Sequence, residues 1–351
     1  MEEPLGKPHM ARSGFRDIVS DGIHALHSGF HLVGYWERLL QLWSLMDNKS
    51  TRQTVPVHLL DALNETIGRA IGRACNIAHL TETGGGSISR ALVAETGNEK
   101  WFVKLNDIGL LDMFEAEADG LRELAKCPDI RVPRVAGAGC AGRQAFIILE
   151  HLDMRPLREN AGGTVAGQAL AALHRITGKN FGWTRDNYIG STPQSNRAHQ
   201  DWPVFFARER LLPQLDLART NGHPGSLIDR GERLAEKLPV FFSGYQPTPS
   251  LLHGDLWSGN AGIDRNGKLT LFDPAIYFGD READLAMTEL FGGFPAAFHA
   301  SYREAWPLAA GYAQRRTLYN LYHVLNHLNL FGGGYRSQAA QAIDWLLAEA
   351  G

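Results

Sequence analysis

The sequence LLHGDLWSGN, residues 251–260, begins with two leucines. The polar side chains of His253, Asp255 and Asn260 follow them. A second short apolar run, LTLF at residues 269–272, ends at Asp273, eighteen residues after Asp255. Short apolar runs are typical of buried strands, so each aspartate stands where a strand gives way to a loop. This placement predicts one site built from two loops, and the competing interpretation is a pair of capping aspartates on unrelated turns.

The spacing of these side chains fits phosphoryl transfer from ATP. His253, Asp255 and Asn260 are separated as in the loop H-R-D-L-x-x-x-N of protein kinases. We therefore predict that Asp255 is the catalytic residue that accepts the proton of a substrate hydroxyl. Asp273 takes the place of the D-F-G aspartate. Asn260 and Asp273 are predicted ligands of Mg²⁺, because carboxamide and carboxylate oxygens suit that hard ion.

The upstream sequence supplies candidates for the phosphates of ATP. A glycine-rich segment between two predicted strands consists of Gly84, Gly85, Gly86 and Ser87. Glycines let a backbone approach phosphates closely, although a plain hairpin turn would read the same way. Lys104, in the strand WFVKL, is predicted to bind phosphate; the alternative is a lysine on a surface edge strand. Of Glu115 and Glu117 on the following helix, Glu117 is preferred as its partner, since it follows the apolar face of that helix.

Two departures from the protein-kinase pattern favour a small-molecule kinase on the same scaffold. Gly254 replaces the arginine of H-R-D, so a phosphorylated activation loop has no arginine to bind. Asp273 is followed directly by Pro274 and soon by FGDREADLAM, residues 278–287, which leaves no room for a long activation segment.

The order of predicted elements indicates an α+β, two-lobed, protein-kinase-like fold. Residues 56–152 read as a small β-rich N-lobe that binds the nucleotide: helix, three strands, helix, two strands. Residues 153–351 read as a larger, mainly helical C-lobe for catalysis and substrate binding, with single amphipathic helices predicted over 202–215 and 226–238. Residues 1–55 form an N-terminal extension of uncertain structure, to which we assign no function.

Composition narrows the class of protein. The 351 residues carry 35 Lys and Arg against 38 Asp and Glu, a net charge of −3, which indicates neither a nucleic-acid nor a membrane partner. No apolar run approaches the ~18 residues of a membrane span. Three distant cysteines, Cys75, Cys127 and Cys140, argue against a disulfide framework and favour a cytoplasmic protein.

The sequence resembles the fructosamine/ketosamine-3-kinase family, within the broader aminoglycoside phosphotransferase-like group. The resemblance runs from about Asn76 to Gln341. Its characteristic stretches include GGGSIS (84–89), FVKLN (102–106), MFEAEADGLREL (113–124), FGWTRDNYIGSTPQ (181–194), HGDLWSGN (253–260) and DPAIYFGDREADLAM (273–287).

The resemblance implies an ATP- and Mg²⁺-dependent kinase that phosphorylates the 3-hydroxyl of ketosamines, such as ribulosamines, erythrulosamines or fructosamines, in deglycation. It places the hinge for adenine at Glu150, His151 and Leu152. Many members carry a cysteine in the glycine loop, where this chain has Ser87, so we expect no disulfide switch there. An aminoglycoside- or choline-type kinase and a non-catalytic ATP-binding scaffold stay open as alternatives. The preferred sugar, a free or protein-bound amine, and the oligomeric state also stay open.

Three further features have competing interpretations. Trp257 either walls a sugar pocket near Asp255 or packs beneath the loop. His323 and His327 have a spacing that can bind zinc, but without a third ligand they are better read as satisfied or substrate-facing histidines. Three acidic residues follow Asp273 in the chain: Asp280, Glu282 and Asp284. At least one of them is predicted to brace, by hydrogen bonds, the loop at residues 253–260, called the catalytic loop below.

Overall fold

The computed structural model describes residues 55–84, 88–158 and 160–351. All described residues belong to one compact unit, Val55–Gly351. The prediction for residues 1–55 therefore falls, apart from Val55, outside the described residues. No helix in the described part is both long enough and apolar enough to cross a membrane.

A five-stranded antiparallel sheet forms the first part of the described chain. Its strands are β1 (His79–Thr83), β2 (Arg90–Thr96), β3 (Glu99–Asp107), β4 (Val135–Ala141) and β5 (Gln144–Glu150). They lie in the order β1-β2-β3-β5-β4, so β3 is bonded on both sides. Helix α1 (Val57–Ile71) precedes the sheet, and a 3₁₀ turn (Ile108–Leu110) leads from β3 into helix α2 (Leu111–Leu124). This element order confirms the predicted one.

The two faces of the sheet pack against different helices. Val103 and Leu105 of β3 belong to an apolar cluster with α1. Ile147 of β5 belongs to a second cluster, with α2. Lys104 lies opposite Ile147 in the ladder and between Val103 and Leu105 in the chain. Because side chains alternate along a strand, Lys104 faces α2.

The rest of the described chain is mainly helical. Its helices are α3 (Asn160–His174), α4 (Trp202–Phe206), α5 (Leu212–Thr220), α6 (Gly225–Lys237), α7 (Glu282–Leu290), α8 (Ala296–Ala305), α9 (Tyr312–Phe331) and α10 (Tyr335–Glu349), with 3₁₀ segments at Leu238–Phe242 and Ser258–Asn260. Among the predicted helices, the one over 226–238 is confirmed by α6.

The predicted helix over 202–215 is confirmed, since the chain is helical without a break from Trp202 to Thr220. A π-helical segment, Ala207–Leu211, separates α4 from α5. Pro213 has no N–H, so it cannot donate the helical bond to the carbonyl of Glu209 four residues earlier. The guanidinium of Arg210 donates to that carbonyl instead, at 2.8 Å. The π-helical segment thus lies where Pro213 removes a helical donor and the Arg210 guanidinium takes the freed acceptor.

Short strand pairs bring the two loops of the site together. The short strands are β6 (Met154–Pro156), β7 (Asn187–Ile189), β8 (Thr192–Gln194), β9 (Ser250–Leu252), β10 (Ala261–Asp264), β11 (Leu269–Leu271) and β12 (Tyr277–Gly279). Ala261 of β10 pairs with Leu271 of β11, and Leu252 of β9 pairs with Tyr277 of β12. The β9–β10 loop carries Asp255 and the β11–β12 loop carries Asp273, so the two pairings hold these loops side by side.

Candidate active site

A partly buried ion triad joins the sheet, helix α2 and the loop of Asp273. The Lys104 ammonium donates to Glu117 Oε1 at 2.7 Å and to Asp273 Oδ1 at 2.5 Å. The side chains of Lys104 and Glu117 are only 12% and 11% exposed. Burial opposes the charge on Lys104, but Asp273 and Glu117 outweigh it, so the pKa of Lys104 is raised and the lysine stays a cation.

Helix periodicity explains why Glu117, and not Glu115, reaches the lysine. Phe114 and Leu121 of α2 are buried against the sheet, and Glu117 lies between them at spacings of three and four residues. Glu115 lies on the exposed side of the helix. The preference for Glu117 as the partner of Lys104 is thus confirmed as a contact, and its part in nucleotide binding stays a prediction.

Asp255 and Asn260 are bonded to each other within the catalytic loop. The Asn260 amide nitrogen donates to the Asp255 backbone oxygen at 3.0 Å and to its Oδ2 at 3.2 Å. These bonds use the nitrogen of the amide and leave its oxygen for a cation. Burial, followed by the charge of Asp273, raises the pKa of Asp255 to about 7. A carboxylate with this pKa suits a base that works near neutral pH.

His253 links the two loops through both ring nitrogens. Its Nε2 lies 2.9 Å from the carbonyl oxygen of Phe272, and the backbone N–H of Asp255 donates to Nδ1 at 3.3 Å. Burial lowers the pKa of His253, so the ring is neutral, with the proton on Nε2. The histidine therefore connects the loop of Asp255 to the strand end that precedes Asp273.

Asp284 is the acidic residue that braces the catalytic loop. Its carboxylate accepts from the backbone N–H of His253 at 2.7 Å and from that of Gly254 at 2.9 Å. His174 Nε2 lies 3.2 Å from the same carboxylate. The prediction that one of three acidic residues braces this loop is confirmed. The other two serve elsewhere, since Asp280 accepts from Tyr245 and Tyr319 and Glu282 pairs with Arg315.

The backbone of the two loops takes uncommon conformations where they touch. Gly254 has φ +83°, and a Cβ there would lie 2.0 Å from the carbonyl oxygen of Ala275. Among the described residues, Asp273 is the one non-glycine with positive φ, at 55°. Such backbone strain tends to occur at functional sites. The absence of the H-R-D arginine therefore has a steric reason, because no side chain fits at position 254.

The predicted phosphate loop is described only in part. Gly84 follows β1, while Gly85, Gly86 and Ser87 lie outside the described residues. Asn106 anchors the far end of the loop: its amide nitrogen donates to the Ile88 carbonyl at 3.0 Å and to Ser89 Oγ at 3.1 Å. Asn106 closes the stretch FVKLN, and sequence reasoning gave it no role. Phosphate binding by this loop stays a prediction.

The predicted hinge residues differ in how much of each is free for a nucleotide. The Glu150 carboxylate accepts from Arg131 at 2.5 Å and from the backbone N–H of Arg134 at 3.2 Å. A contact of Glu150 with adenine would therefore fall to its backbone carbonyl, because its N–H donates to the carbonyl of Arg134 at 2.8 Å. The backbone N–H of His151 donates to the carbonyl oxygen of Lys100 at 3.2 Å. His151 is exposed, and Leu152 is half-buried. Adenine binding by these three residues stays a prediction.

Trp257 lies at the edge of the site with 39% of its surface exposed. Its ring meets Phe291 edge-on at 6.4 Å between centroids, and Phe291 in turn packs against His327 at 5.1 Å. The tryptophan thus belongs to an aromatic wall, and its contact with a substrate stays a prediction.

In the sequence, His323 is marked only by its four-residue spacing from His327. In the structure its Nδ1 lies 3.9 Å from Asp255 Oδ1. The signal that marks it is tertiary, since α9 is remote in sequence from the catalytic loop.

The fold and this set of side chains define a phosphotransferase of the protein-kinase-like class. Aminoglycoside phosphotransferase APH(4)-Ia shares the fold, with a TM-score of 0.56 at 16% identity over 83% of this chain and 99% of that one. A Haemophilus somnus protein assigned as a fructosamine-3-kinase aligns more closely, with a TM-score of 0.75 at 31% identity over 81% of this chain and 96% of that one.

Sequence comparison defines the family. The fructosamine kinase family model matches residues 59–349. A probable ketoamine kinase of Synechocystis is 45% identical over 284 residues, 81% of this chain and 95% of the relative. The chloroplastic protein-ribulosamine 3-kinase of Arabidopsis thaliana is 41% identical over 276 residues, 78% of this chain and 84% of the relative. The chain belongs to the fructosamine kinase family.

Proposed function

We propose that this protein transfers the γ-phosphoryl group of ATP to the 3-hydroxyl of a ketosamine, in the deglycation of proteins or metabolites. The observation that carries the proposal is the convergence of Lys104 and Glu117 with Asp273, beside a loop that presents Asp255. Relatives named ketoamine kinase and protein-ribulosamine 3-kinase support this choice of acceptor.

Each side chain has a role that follows from its position. Asp255 holds the acceptor hydroxyl in line with the γ-phosphate and takes its proton. Lys104 stays charged and neutralises the phosphates, while Glu117 fixes the direction of its ammonium group. Gly84, Gly85, Gly86 and Ser87 cover the phosphates, and the segment Glu150–Leu152 holds adenine. Trp257 faces the sugar.

The residues present fit a magnesium ion. Asp273 is 42% exposed and uses Oδ1 for Lys104, and Asn260 keeps its amide oxygen because its nitrogen donates to Asp255. Hard oxygen donors of this kind suit Mg²⁺. Bound between Asn260 and Asp273, the ion would neutralise charge on the phosphates of ATP.

A cytoplasmic location is also proposed, and the free thiols at Cys75, Cys127 and Cys140 support it.

Phosphorus NMR of the reaction products tests the proposed acceptor. The purified protein is incubated with Mg-ATP in four parallel reactions, each with one acceptor: ribulosyl-lysine, fructosyl-lysine, kanamycin or choline. We expect a new sugar phosphate ester on the C3 oxygen of a ketosamine. Phosphorylation of kanamycin or choline alone would establish the alternative kinase class, and no transfer to any acceptor would favour a non-catalytic scaffold.

Replacing Asp255 by Asn separates catalysis from nucleotide binding. The amide keeps the shape of the side chain but cannot accept the proton, so turnover should fall roughly 10²–10⁴-fold. Binding of ATP, measured by calorimetry, should stay close to that of the wild type. A variant that keeps half of its activity would contradict the role of Asp255 as the base.

A further inference from the structure

Among the described residues, the ring of a buried histidine of α9 faces the catalytic aspartate without a hydrogen-bond partner. His323 is 5% exposed, and its Nδ1 is completely buried and unpaired within the described part of the chain. The same atom lies 3.9 Å from Asp255 Oδ1. Buried polar atoms without a partner are uncommon and cost stability, so this one needs an explanation.

The separation of the two atoms fits a shared third atom. At 3.9 Å, Nδ1 and Oδ1 are too far apart for a direct hydrogen bond. Because Nδ1 is closed to solvent in this structure, a bound hydroxyl requires a small displacement of the catalytic loop; with its oxygen at about 2.8 Å from each atom, it then completes two normal hydrogen bonds. Such an oxygen would donate its proton to Asp255 and accept one from the N–H of His323.

The surroundings of His323 keep its ring neutral and fixed. Burial, with further contributions from His327 and Arg210, lowers the pKa of His323 to about 3, although Asp284 acts in the opposite direction. The ring packs edge-on against Tyr322 at 5.2 Å, and its backbone carbonyl accepts from His327 Nδ1 at 2.7 Å. A neutral imidazole that is closely packed is suited to orient a hydroxyl rather than to carry charge.

We propose that His323 hydrogen-bonds the acceptor hydroxyl that Asp255 activates. This inference rests on the proposed phosphotransfer function and adds a second point of attachment for the sugar. The hydroxyl oxygen accepts from the N–H of His323 with one lone pair and donates its proton to Asp255. Its other lone pair is then directed at the phosphorus. His323 is therefore a substrate-contacting residue that aligns the nucleophile.

Two substitutions at this position separate substrate contact from structural support. His323→Leu removes the hydrogen bond and should lower kcat/KM for the acceptor about 10- to 100-fold, with KM for ATP within twofold of the wild type. His323→Asn keeps a neutral N–H donor and should recover most of the loss. Because His323→Leu also removes a buried unpaired polar atom, its Tm should equal or exceed that of the wild type.

The matched control is His299→Leu on α8, where the ring packs edge-on against Phe298 at 5.1 Å. It should leave both Michaelis constants unchanged. The inference is overturned if His323→Leu keeps acceptor kcat/KM within twofold, if KM for ATP rises by the same factor, or if Asn restores nothing. Variants are compared on whichever acceptor the wild type phosphorylates. If the wild type is inactive on ketosamines, the proposed substrate is overturned, but the role of His323 is still tested on the acceptor that is used.

Discussion

Gly254 shows how one residue without a side chain sets the distance between the two loops of the site. The carbonyl oxygen of Ala275 occupies the space that a Cβ at position 254 would need. The backbone N–H of Ala275 donates to the carbonyl oxygen of His253 at 2.9 Å, and the N–H of Gly254 donates to the Asp284 carboxylate at 2.9 Å. Direct backbone contact therefore places Asp255 beside the turn of Asp273.

Replacing Gly254 by Ala should displace the catalytic loop. The new Cβ would lie 2.0 Å from the Ala275 oxygen, a distance that forces one loop to move. A shift of about 1 Å at a catalytic group can cost roughly 10²-fold in rate, so we expect a loss of kcat of that order. The measurement is steady-state kinetics on folded protein, checked by circular dichroism.

Gly222→Ala is the matched control for this substitution. Gly222 has a similar φ of +78°, but nothing lies within 4 Å of its missing Cβ. Both variants carry the strain of a left-handed alanine, which costs about 1 kcal/mol. Only Gly254→Ala should lose activity, and equal kcat values for the two variants would show that contact with Ala275 is unimportant.

At the scale of elements, the β7–β8 hairpin holds α2 from outside the sheet. Arg185, just before β7, donates to Asp119 at 2.7 Å and to Asp112 at 2.6 Å, so it spans seven residues of α2. Tyr188 donates to Asp112 at 3.0 Å. Since α2 carries Glu117, this contact fixes the helix that holds Lys104.

The same hairpin is bonded to the segment that follows Asp273. Asn187 donates to the Ile276 carbonyl at 2.8 Å, and Gln194 donates to the Ala275 carbonyl at 3.1 Å. Gly120 of α2 also approaches Pro274, at 3.3 Å from its missing Cβ. One hairpin therefore connects α2 to the segment that follows Asp273.

Replacing Arg185 by Ala should raise KM for ATP about three- to tenfold, because exposed ion pairs contribute up to ~1 kcal/mol each. Lys at this position should recover only part of the effect, since it cannot bridge two carboxylates as a planar guanidinium does. The control is Arg122→Ala, which removes another partner of Asp119, at 2.9 Å within α2 itself. If both variants have the ATP KM of the wild type, the hairpin does not control α2.

Local patterns predicted the elements that carry this site, but not how side chains fill the space between them. Alternation along β3 and the 3.6-residue period of α2 were enough to predict the pairing of Lys104 with Glu117. The helix over 202–215 was predicted, but not the π-helical segment Ala207–Leu211 inside it, where the Arg210 guanidinium donates to the Glu209 carbonyl. The unpaired nitrogen of His323 likewise arises only once α9 lies against the catalytic loop.

At the scale of the whole molecule, a buried ion pair connects elements far apart in the chain. Glu282 begins α7, and its carboxylate accepts from Arg315 of α9 at 2.7 Å. Arg315 also donates to the carbonyls of Phe241 and Ala310, at 3.4 and 2.9 Å, and lies 4.1 Å from the ring centre of Tyr245. The pair thus joins α7, α9 and the 3₁₀ segment Leu238–Phe242.

Replacing Arg315 by Met should destabilise the protein by about 3–5 kcal/mol, because it leaves Glu282 charged and unpaired in the interior. The side chains are 2% and 0% exposed, so water cannot replace the lost partner. We expect calorimetry to show a fall in Tm on the order of 10 °C. Adding Glu282→Gln should recover part of that loss, since it removes the stranded charge. The neighbouring Arg316→Met breaks a pair with Glu289 whose side chains are 44% and 25% exposed, so it should change stability by less than about 1 kcal/mol. If Arg315→Met and Arg316→Met unfold at the same temperature, the buried pair does not hold these elements together.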